Sequence, residues 1–365
     1  MSTTTSTTSS EDIDWSYKVL ENRYIILKYL GSGVSCSVWM CYDFDDQSYY
    51  AIKIGNLDDY HVLYRESKVS KEISKFKNNS YFLKVIRTFD IENKEEDYLH
   101  HCQILPLMAG TVYDIIKRKL ELSNETIRTI FYQLINGIKE LQRHNILHGD
   151  IKPENIMLTG INSEHVNIMN KLLFLKTITE QKLRKSFREK TIKQATEMII
   201  KTLENYEEQE PIFDFQNVTV KIGDLGGCID ITKGETPDID TQYYISPENI
   251  LGYPYSLKND IWALGCTLYE LVTRKLLFDP CTDMDNEKRY HLYLINKKIG
   301  MIPENMIQNS NKKHLFFTKD LKCVKGYCSL SFEPIEKDLE PINKEMSECI
   351  LNMLKINPEE RFINN

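Results

Sequence analysis

The chain has 365 residues, 41% hydrophobic and 27% charged, the composition of a soluble globular protein with room for one two-lobed domain or two small ones. Its formal net charge of −7 argues against a general nucleic-acid binder, so no direct nucleic-acid contact is expected, and toward tolerance of basic partners. No apolar run approaches the roughly 18–20 residues that cross a bilayer, so no membrane partner is expected either.

The nine cysteines are odd in number and scattered behind no secretory signal, which predicts reduced thiols in an intracellular protein of the cytoplasm, the nucleus or both. Cys323 and Cys328 lie five apart without the second pair or histidine of a zinc site, so they read as ordinary packing. Residues 1–14 open with MSTTTSTTSS and read as a disordered Ser/Thr-rich tail, leaving 15–365 as the folded domain.

Short strands are predicted at Tyr24-Ile25-Ile26-Leu27, at Ser37-Val38-Trp39-Met40-Cys41-Tyr42 and over 48–54, after the turn-like Asp45-Asp46-Gln47. Between the first two lies Leu30-Gly31-Ser32-Gly33-Val34-Ser35-Cys36-Ser37-Val38. Two glycines one residue apart let a hairpin tip bring backbone N–H groups close to phosphates, although a plain Gly-rich hairpin shares the pattern. A strand rather than a helix follows, which disfavours dinucleotide binding. Cys36 stands where a third glycine is usual.

Fifteen residues past Val38 comes Tyr50-Ala51-Ile52-Lys53. A lysine ending an apolar strand needs anionic partners if it is buried, and a nucleotide's α- and β-phosphates would serve. A helix over 64–77 offers a carboxylate to fix it. Glu72 is preferred because Ile73 and Phe76 beside it face a core, with Glu66 as the second choice and a solvated surface pair as the bland alternative. Two more strands, over 81–88 and 99–105, lead into Pro106-Leu107-Met108-Ala109-Gly110, a linker between a strand-rich and a helical half. Such a linker can bind adenine through its backbone. Leu105 would line the pocket, Pro106 needs to offer only its carbonyl, and Met108 keeps both N–H and C=O. Helices follow over 111–118 and 123–143, the second with Ser123 as N-cap.

The run His148-Gly149-Asp150-Ile151-Lys152-Pro153-Glu154-Asn155 has a phosphoryl-transfer layout. Asp150 can orient a hydroxyl nucleophile, Lys152 can sit against the transferred phosphate, and Asn155 can hold a metal ion. Residues 159–216 carry nine Lys/Arg and nine Asp/Glu, basic first and acidic last, with Leu183, Phe187, Ile192 and Ile199 as a rough helical stripe. This insert reads as a solvated helix with loose ends, or alternatively as a docking or localisation element. The strand Val218-Thr219-Val220-Lys221-Ile222 then delivers Asp224 before Leu225-Gly226, which suits a carboxylate gripping Mg²⁺ on nucleotide phosphates. Thr241, Ser246-Pro247-Glu248, Asp260-Ile261-Trp262-Ala263-Leu264-Gly265 and Asn357-Pro358-Glu359-Glu360-Arg361 complete the series. Glu248 and Arg361 are expected to form a buried ion pair.

Taken in order, these pieces resemble the eukaryotic-type protein kinases from about 23 to 361. DIKPEN and the later Thr241 look like the serine/threonine branch. Ser37-Val38-Trp39, the long insert, Asp238-Ile239-Asp240-Thr241-Gln242-Tyr243-Tyr244 and Leu277-Phe278-Asp279-Pro280 are similar to the SR-protein kinases of the CMGC branch, which phosphorylate Arg/Ser-rich proteins. The resemblance implies an α+β, bilobal kinase fold: a β-rich N-lobe over about 23–105, a hinge at 106–110, and an α-helical C-lobe over 111–365 carrying the insert. It implies ATP and Mg²⁺ as cofactors, a monomer, and catalytic Lys53, Asp150, Lys152 and Thr241. The nucleotide would touch residues 30–38, Ala51, Lys53, Leu105, Pro106 and Met108, with Glu72 fixing Lys53 and with Asn155 and Asp224 on the metal. Gly149 replaces the arginine that usually precedes the catalytic Asp, so activity is expected without phosphorylation of the activation segment. Ile245 departs from the arginine usual in the CMGC branch, and the chain stops four residues after Arg361, as a minimal or a truncated end.

Between Asp224 and Glu248 there are six acidic residues against one lysine, and Asp279, Asp283, Asp285 and Glu287 add more, so basic Ser-containing segments of protein substrates are the expected partners. A pseudokinase scaffold would have lost Lys53, Asp150, Asn155 or Asp224. A small-molecule kinase would leave Thr241 and Ser246-Pro247-Glu248 without a purpose.

Overall fold

The computed structural model describes residues 13–56, 59–93, 98–182, 188–215, 218–234, 242–280, 287–328 and 331–363. It divides into two compact units, each drawn from three stretches of chain. Thr241, Leu183, Phe187, Asp283 and Asp285 lie outside the described residues.

The first unit comprises Met1–Tyr60, Arg87–Leu107 and Glu164–Glu210. Its sheet has six antiparallel strands: β1 Val19–Leu20, β2 Tyr24–Gly33, β3 Cys36–Asp43, β4 Ser48–Gly55, β5 Arg87–Asn93 and β6 Tyr98–Pro106, in the order β1-β2-β3-β4-β6-β5. Trp15, Tyr24, Ile26, Trp39, Ile52, Phe89 and Ile104 form its core, and Ile13 packs against them, so order begins inside the stretch expected to be tail. The strand expected over 81–88 starts only at Arg87.

The insert belongs to this unit. Instead of one solvated helix with loose ends, its described residues form three, Ser163–Lys171, Phe174–Lys182 and Arg188–Leu203. Ile168, Leu172, Leu175, Ile192, Ala195 and Ile199 are buried, a set large enough to hold helices that would be marginal alone. Polar ties join it to the sheet. Lys28 Nζ lies 2.9 Å from buried Glu164, whose other oxygen accepts from the Tyr206 hydroxyl at 2.8 Å. Arg188 pairs with Asp45 at 2.7 Å and donates to the Asn22 carbonyl. The basic-then-acidic charge order hid these partners, because the buried contacts are long-range.

The second unit comprises His61–Ile86, Met108–Ser163 and Pro211–Asn365. Its small sheets are β7 Gly110–Thr111, β9 Ile156–Leu158 and β10 Val220–Ile222 in the order β10-β9-β7, and β8 Ile146–Leu147 with β11 Ile229–Asp230. Phe82 and Leu83, expected in a strand, instead bridge to Ile222, with the Leu83 N–H on the Ile222 carbonyl at 2.8 Å. Helices Asn124–Arg143 and Lys258–Thr273 form the centre of the core. Ser123 caps the first as expected, its hydroxyl accepting from the Thr126 N–H at 3.0 Å.

Cys323 and Cys328 are a correction to the expectation of reduced thiols. They form a disulfide across a Cα–Cα distance of 5.0 Å, a span suited to a bridge, because a tight loop folds the chain back on itself. Cys36, Cys41, Cys102, Cys228, Cys266 and Cys349 are buried thiols outside the disulfide.

The expected Glu248–Arg361 pair is present and bidentate, at 2.5 and 2.6 Å, with Arg361 fully buried. The remaining guanidinium N–H groups reach the carbonyls of Lys355, Ile356 and Lys258, and the guanidinium lies 4.8 Å from the Trp262 ring centroid. Removing one partner strands the other charge inside. Arg361→Met is expected to destabilise this unit by about 3–5 kcal/mol in a urea titration. A Glu248→Gln, Arg361→Met double change should recover part of that loss.

Candidate active site

In the strand-rich unit, hairpin register explains the spacing read from the sequence. Strands β2 and β3 pair Gly31 with Val38, Ser32 with Ser37 and Gly33 with Cys36, leaving Val34 and Ser35 as the tip. Strands β3 and β4 then set Val38 opposite Lys53, and β4 with β6 sets Ala51 opposite Leu105. Cross-strand pairs place neighbours a few ångströms apart, so Leu30 to Val38, Ala51, Lys53, Leu105 and Pro106 share one end of one sheet. Lys53 is buried. Asn56, which drew no notice in the sequence, holds the tip: its side chain donates to the Val34 carbonyl and its N–H to the Ser35 carbonyl, both at 2.9 Å.

The other unit assembles the catalytic run from backbone bonds. Asp260, at the start of helix Lys258–Thr273, is buried and accepts from the N–H groups of His148 at 2.7 Å and Gly149 at 2.9 Å. Burial pushes its carboxyl above the ordinary range. The Asp150 N–H lies 3.2 Å from His148 Nδ1, which therefore accepts, and His148 Nε2–H donates to the Gly223 carbonyl at 3.0 Å. The tautomer is thus assigned by the network. Gly149 has φ +83°, a conformation that strains any side chain, so glycine suits this position on backbone grounds as well.

The three groups expected to act together do meet. Lys152 Nζ is 2.7 Å from Asp150 Oδ2, and the Asn155 side-chain amide donates to Asp150 Oδ2 at 2.9 Å and to its carbonyl at 2.8 Å. Asp224 is brought alongside by the Gly223 N–H on the Asn155 carbonyl at 2.8 Å. It adopts the left-handed region, φ 52°, which aspartate tolerates better than most residues. With its amide N–H on Asp150, Asn155 keeps Oδ1 as a hard oxygen ligand beside the Asp224 carboxylate. That donor set fits Mg²⁺ held jointly with nucleotide phosphates. Among the described residues no group of three or more His, Cys, Asp or Glu is placed to hold a metal ion.

Glu72 is not where the sequence placed it. The helix runs Tyr60–Ile73, and its buried positions are Leu63, Glu66, Ser70 and Ile73. At 100° per residue, Glu72 falls a full step from Ile73 and far around from Glu66. Its side chain is 65% exposed and pairs with Lys75 at 2.6 Å. Glu66 is buried and lies against Gly226 in the run after Asp224. The preceding Arg65 donates to the Cys228 carbonyl at 3.2 Å.

Sequence reasoning also missed Glu154 and Glu270. Glu270 accepts from the Tyr244 hydroxyl at 2.7 Å. Burial raises the Glu270 carboxyl and partial desolvation raises that of Glu154, whose residue is otherwise exposed; Asp150 adds to the rise at Glu154, and Glu154 adds to it at Glu270. Negative charge thus accumulates from Asp150 through Glu154 to Glu270.

The protein kinase domain family matches residues 24–172 and 174–363, so the chain belongs to the protein kinase family. Serine/threonine-protein kinase prp4 of Schizosaccharomyces pombe is 25% identical over 390 residues, covering 96% of this chain and 68% of its own. Dual specificity protein kinase CLK4 of Homo sapiens is 25% identical over 359 residues, covering 94% of this chain and 65% of its own. A solved kinase domain superposes with a TM-score of 0.70 at 21% identity, covering 96% of this chain and 95% of that one, which shows the bilobal kinase fold. These relatives agree with the CMGC placement read from the motifs: the enzyme is a serine/threonine or dual-specificity protein kinase.

The Asp260 carboxylate ties the catalytic run to the helical core. Asp260→Ala leaves two buried N–H groups without an acceptor, and is expected to destabilise the protein by about 2–5 kcal/mol in chemical denaturation.

Proposed function

We propose that the chain transfers the γ-phosphoryl group of ATP to serine hydroxyls in basic segments of proteins, without prior phosphorylation of its activation segment. The meeting of Asp150, Lys152 and Asn155 beside Asp224 carries this reading. Asp150 accepts and orients the substrate hydroxyl, and Lys152 offsets charge on the transferred group. Asn155 and Asp224 would hold Mg²⁺, which supplies charge neutralisation on the phosphates when bound. Lys53 anchors the α- and β-phosphates, and Glu66 takes the supporting role first assigned to Glu72. Thr241 keeps the substrate-side role implied by the resemblance. Catalysis of this kind is positioning and electrostatics, so single charges matter.

Support for phosphate-independent activity lies in how the run after Asp224 is held. Strand β11 pairs with β8, the Ile231 N–H reaches the Asn145 carbonyl at 3.1 Å, and Arg65 holds the Cys228 carbonyl. These bonds need no phosphate, and at position 149 there is no guanidinium to receive one.

Phosphatase-treated enzyme from a bacterial host is expected to phosphorylate a basic Ser-rich protein in labelled ATP–Mg²⁺ and to leave an acidic casein-like one nearly untouched. In that assay Asp150→Ala and Lys53→Met should fall at least about a thousandfold, and Glu66→Gln well below wild type. Glu72→Gln should stay near wild type. Activity that appears only after phosphorylation of the activation segment, or a loss with Glu72→Gln equal to that with Glu66→Gln, contradicts the assignment.

Basic-substrate preference is supported by Glu154 and Glu270. Their raised pKa values mean that mild acid protonates them before ordinary carboxylates, and only the ionised forms attract a cationic peptide. KM for an Arg-rich peptide should therefore rise as pH falls through the raised values, while at neutral pH both carboxylates attract it. Glu154→Gln should raise KM roughly tenfold with kcat little changed and flatten that pH dependence.

A further inference from the structure

The helical unit carries a basic surface that the phosphotransfer chemistry does not use. Between positions 312 and 325 there are five lysines, Lys312, Lys313, Lys319, Lys322 and Lys325, against the single carboxylate of Asp320. All five lysines are exposed. Among the described residues none of them is in an ion pair, whereas Lys297 and Lys298 on the preceding helix Glu287–Lys298 are each paired, with Glu333 and Asp338. In a chain of net charge −7, five unneutralised ammonium groups on one short stretch run against the general balance.

The stretch is also held rigidly, which a merely solubilising run does not need. Phe316, Phe317 and Val324 are buried beneath it. Phe317 bridges to Val324, Val324 bridges to Tyr327, and the Lys325 N–H donates to the Phe316 carbonyl at 2.6 Å. The Cys323–Cys328 disulfide closes the loop that bears Lys325. Tyr327 packs on Tyr290 and Tyr293 with ring centroids 5.5 and 5.0 Å away, and Arg289 holds the Leu315 carbonyl at 3.2 Å. At its start, the Ser310 hydroxyl donates to the Leu251 carbonyl at 2.7 Å, and the Lys312 stem lies so close over Gly252 that a Cβ there would meet it at 2.9 Å. A loop fixed in this way loses little conformational entropy when a ligand binds.

We infer that residues 312–325 form a docking surface for an acidic segment of a protein partner. Complementary charge is the recognising chemistry, and lysine ammoniums, as point charges, accept carboxylates in many arrangements. Nucleic acid fits less well. The stretch contains no arginine, and the tyrosine rings beside it are engaged with one another instead of presenting free faces for bases. A long polyanion would also run beyond the patch onto a surface whose net charge repels it, whereas a short acidic segment meets only the lysines within a Debye length of about 8 Å. An acidic segment is repelled by Glu154 and Glu270, so it does not compete for the position of a basic acceptor segment.

The test is fluorescence anisotropy of the full chain with a fluorescein-labelled Glu/Asp-rich peptide. Saturable binding is expected that weakens with added salt. Lys319→Glu, Lys322→Glu and Lys325→Glu combined should weaken it about tenfold or more, at three exposed pairs each contributing modestly. Unchanged melting temperature and unchanged phosphorylation of a short basic peptide show that the variant is folded; should it not fold, the three Lys→Ala changes replace it, with the same direction expected. Absence of saturable binding by the wild type, equal binding by the variant, or tighter binding of a single-stranded oligonucleotide of equal charge overturns the proposal. The readout is binding alone, so it stands or falls separately from the phosphotransfer assignment.

Discussion

The catalytic half of this kinase rests on one buried carboxylate. Asp260 takes the backbone N–H groups of His148 and Gly149, and from that grip the rest follows in short steps. His148, so placed, holds the Asp150 N–H on one ring nitrogen and the Gly223 carbonyl with the other. The run 148–155 and the run around Asp224 are thereby joined through backbone groups, while the side chains of Asp150, Lys152 and Asn155 meet one another. Burying a carboxylate disfavours its charge, and the two N–H donors are what keep that disfavoured charge in place.

Charge is distributed over the helical unit in two opposed ways. Glu154, raised by Asp150 and itself raising Glu270, adds negative charge beside Asp150. The stretch from 312 to 325 does the reverse, with lysines that form no ion pair among the described residues on a loop closed by a disulfide. The buried Glu248–Arg361 pair, by contrast, is closed on both sides: every charge has its partner, so it serves the fold alone. Which charges are satisfied and which are left over separates structural electrostatics from electrostatics open to a ligand.

Most of the active site could be read from local strings, because phosphoryl transfer needs few residue types at short spacings. Asp150, Lys152 and Asn155 lie within six residues, and a single loop brings them together with no long-range information. Lys53 was legible because a hairpin of given length sets its register, so fifteen residues of sequence became one cross-strand pair with Val38. The choice between Glu66 and Glu72 was not legible in that way. It depends on the rotational phase of a helix, and the apolar residue used to set the phase, Ile73, is adjacent to Glu72 but a hundred degrees away from it.

The sequence by itself determined the class of enzyme, the order of its parts and the residues proposed for the catalytic loop, since these are properties of contiguous runs. Tertiary structure alone decided the rest. It buried Glu66 and exposed Glu72, turned the charged insert into three helices tied to the sheet by Glu164 and Arg188, and closed Cys323 on Cys328. It also set Glu270 near Glu154, more than a hundred residues apart in the chain. Each of those outcomes depends on which distant groups become neighbours, and burial, ion pairing and pKa are set by neighbours in space, not in sequence.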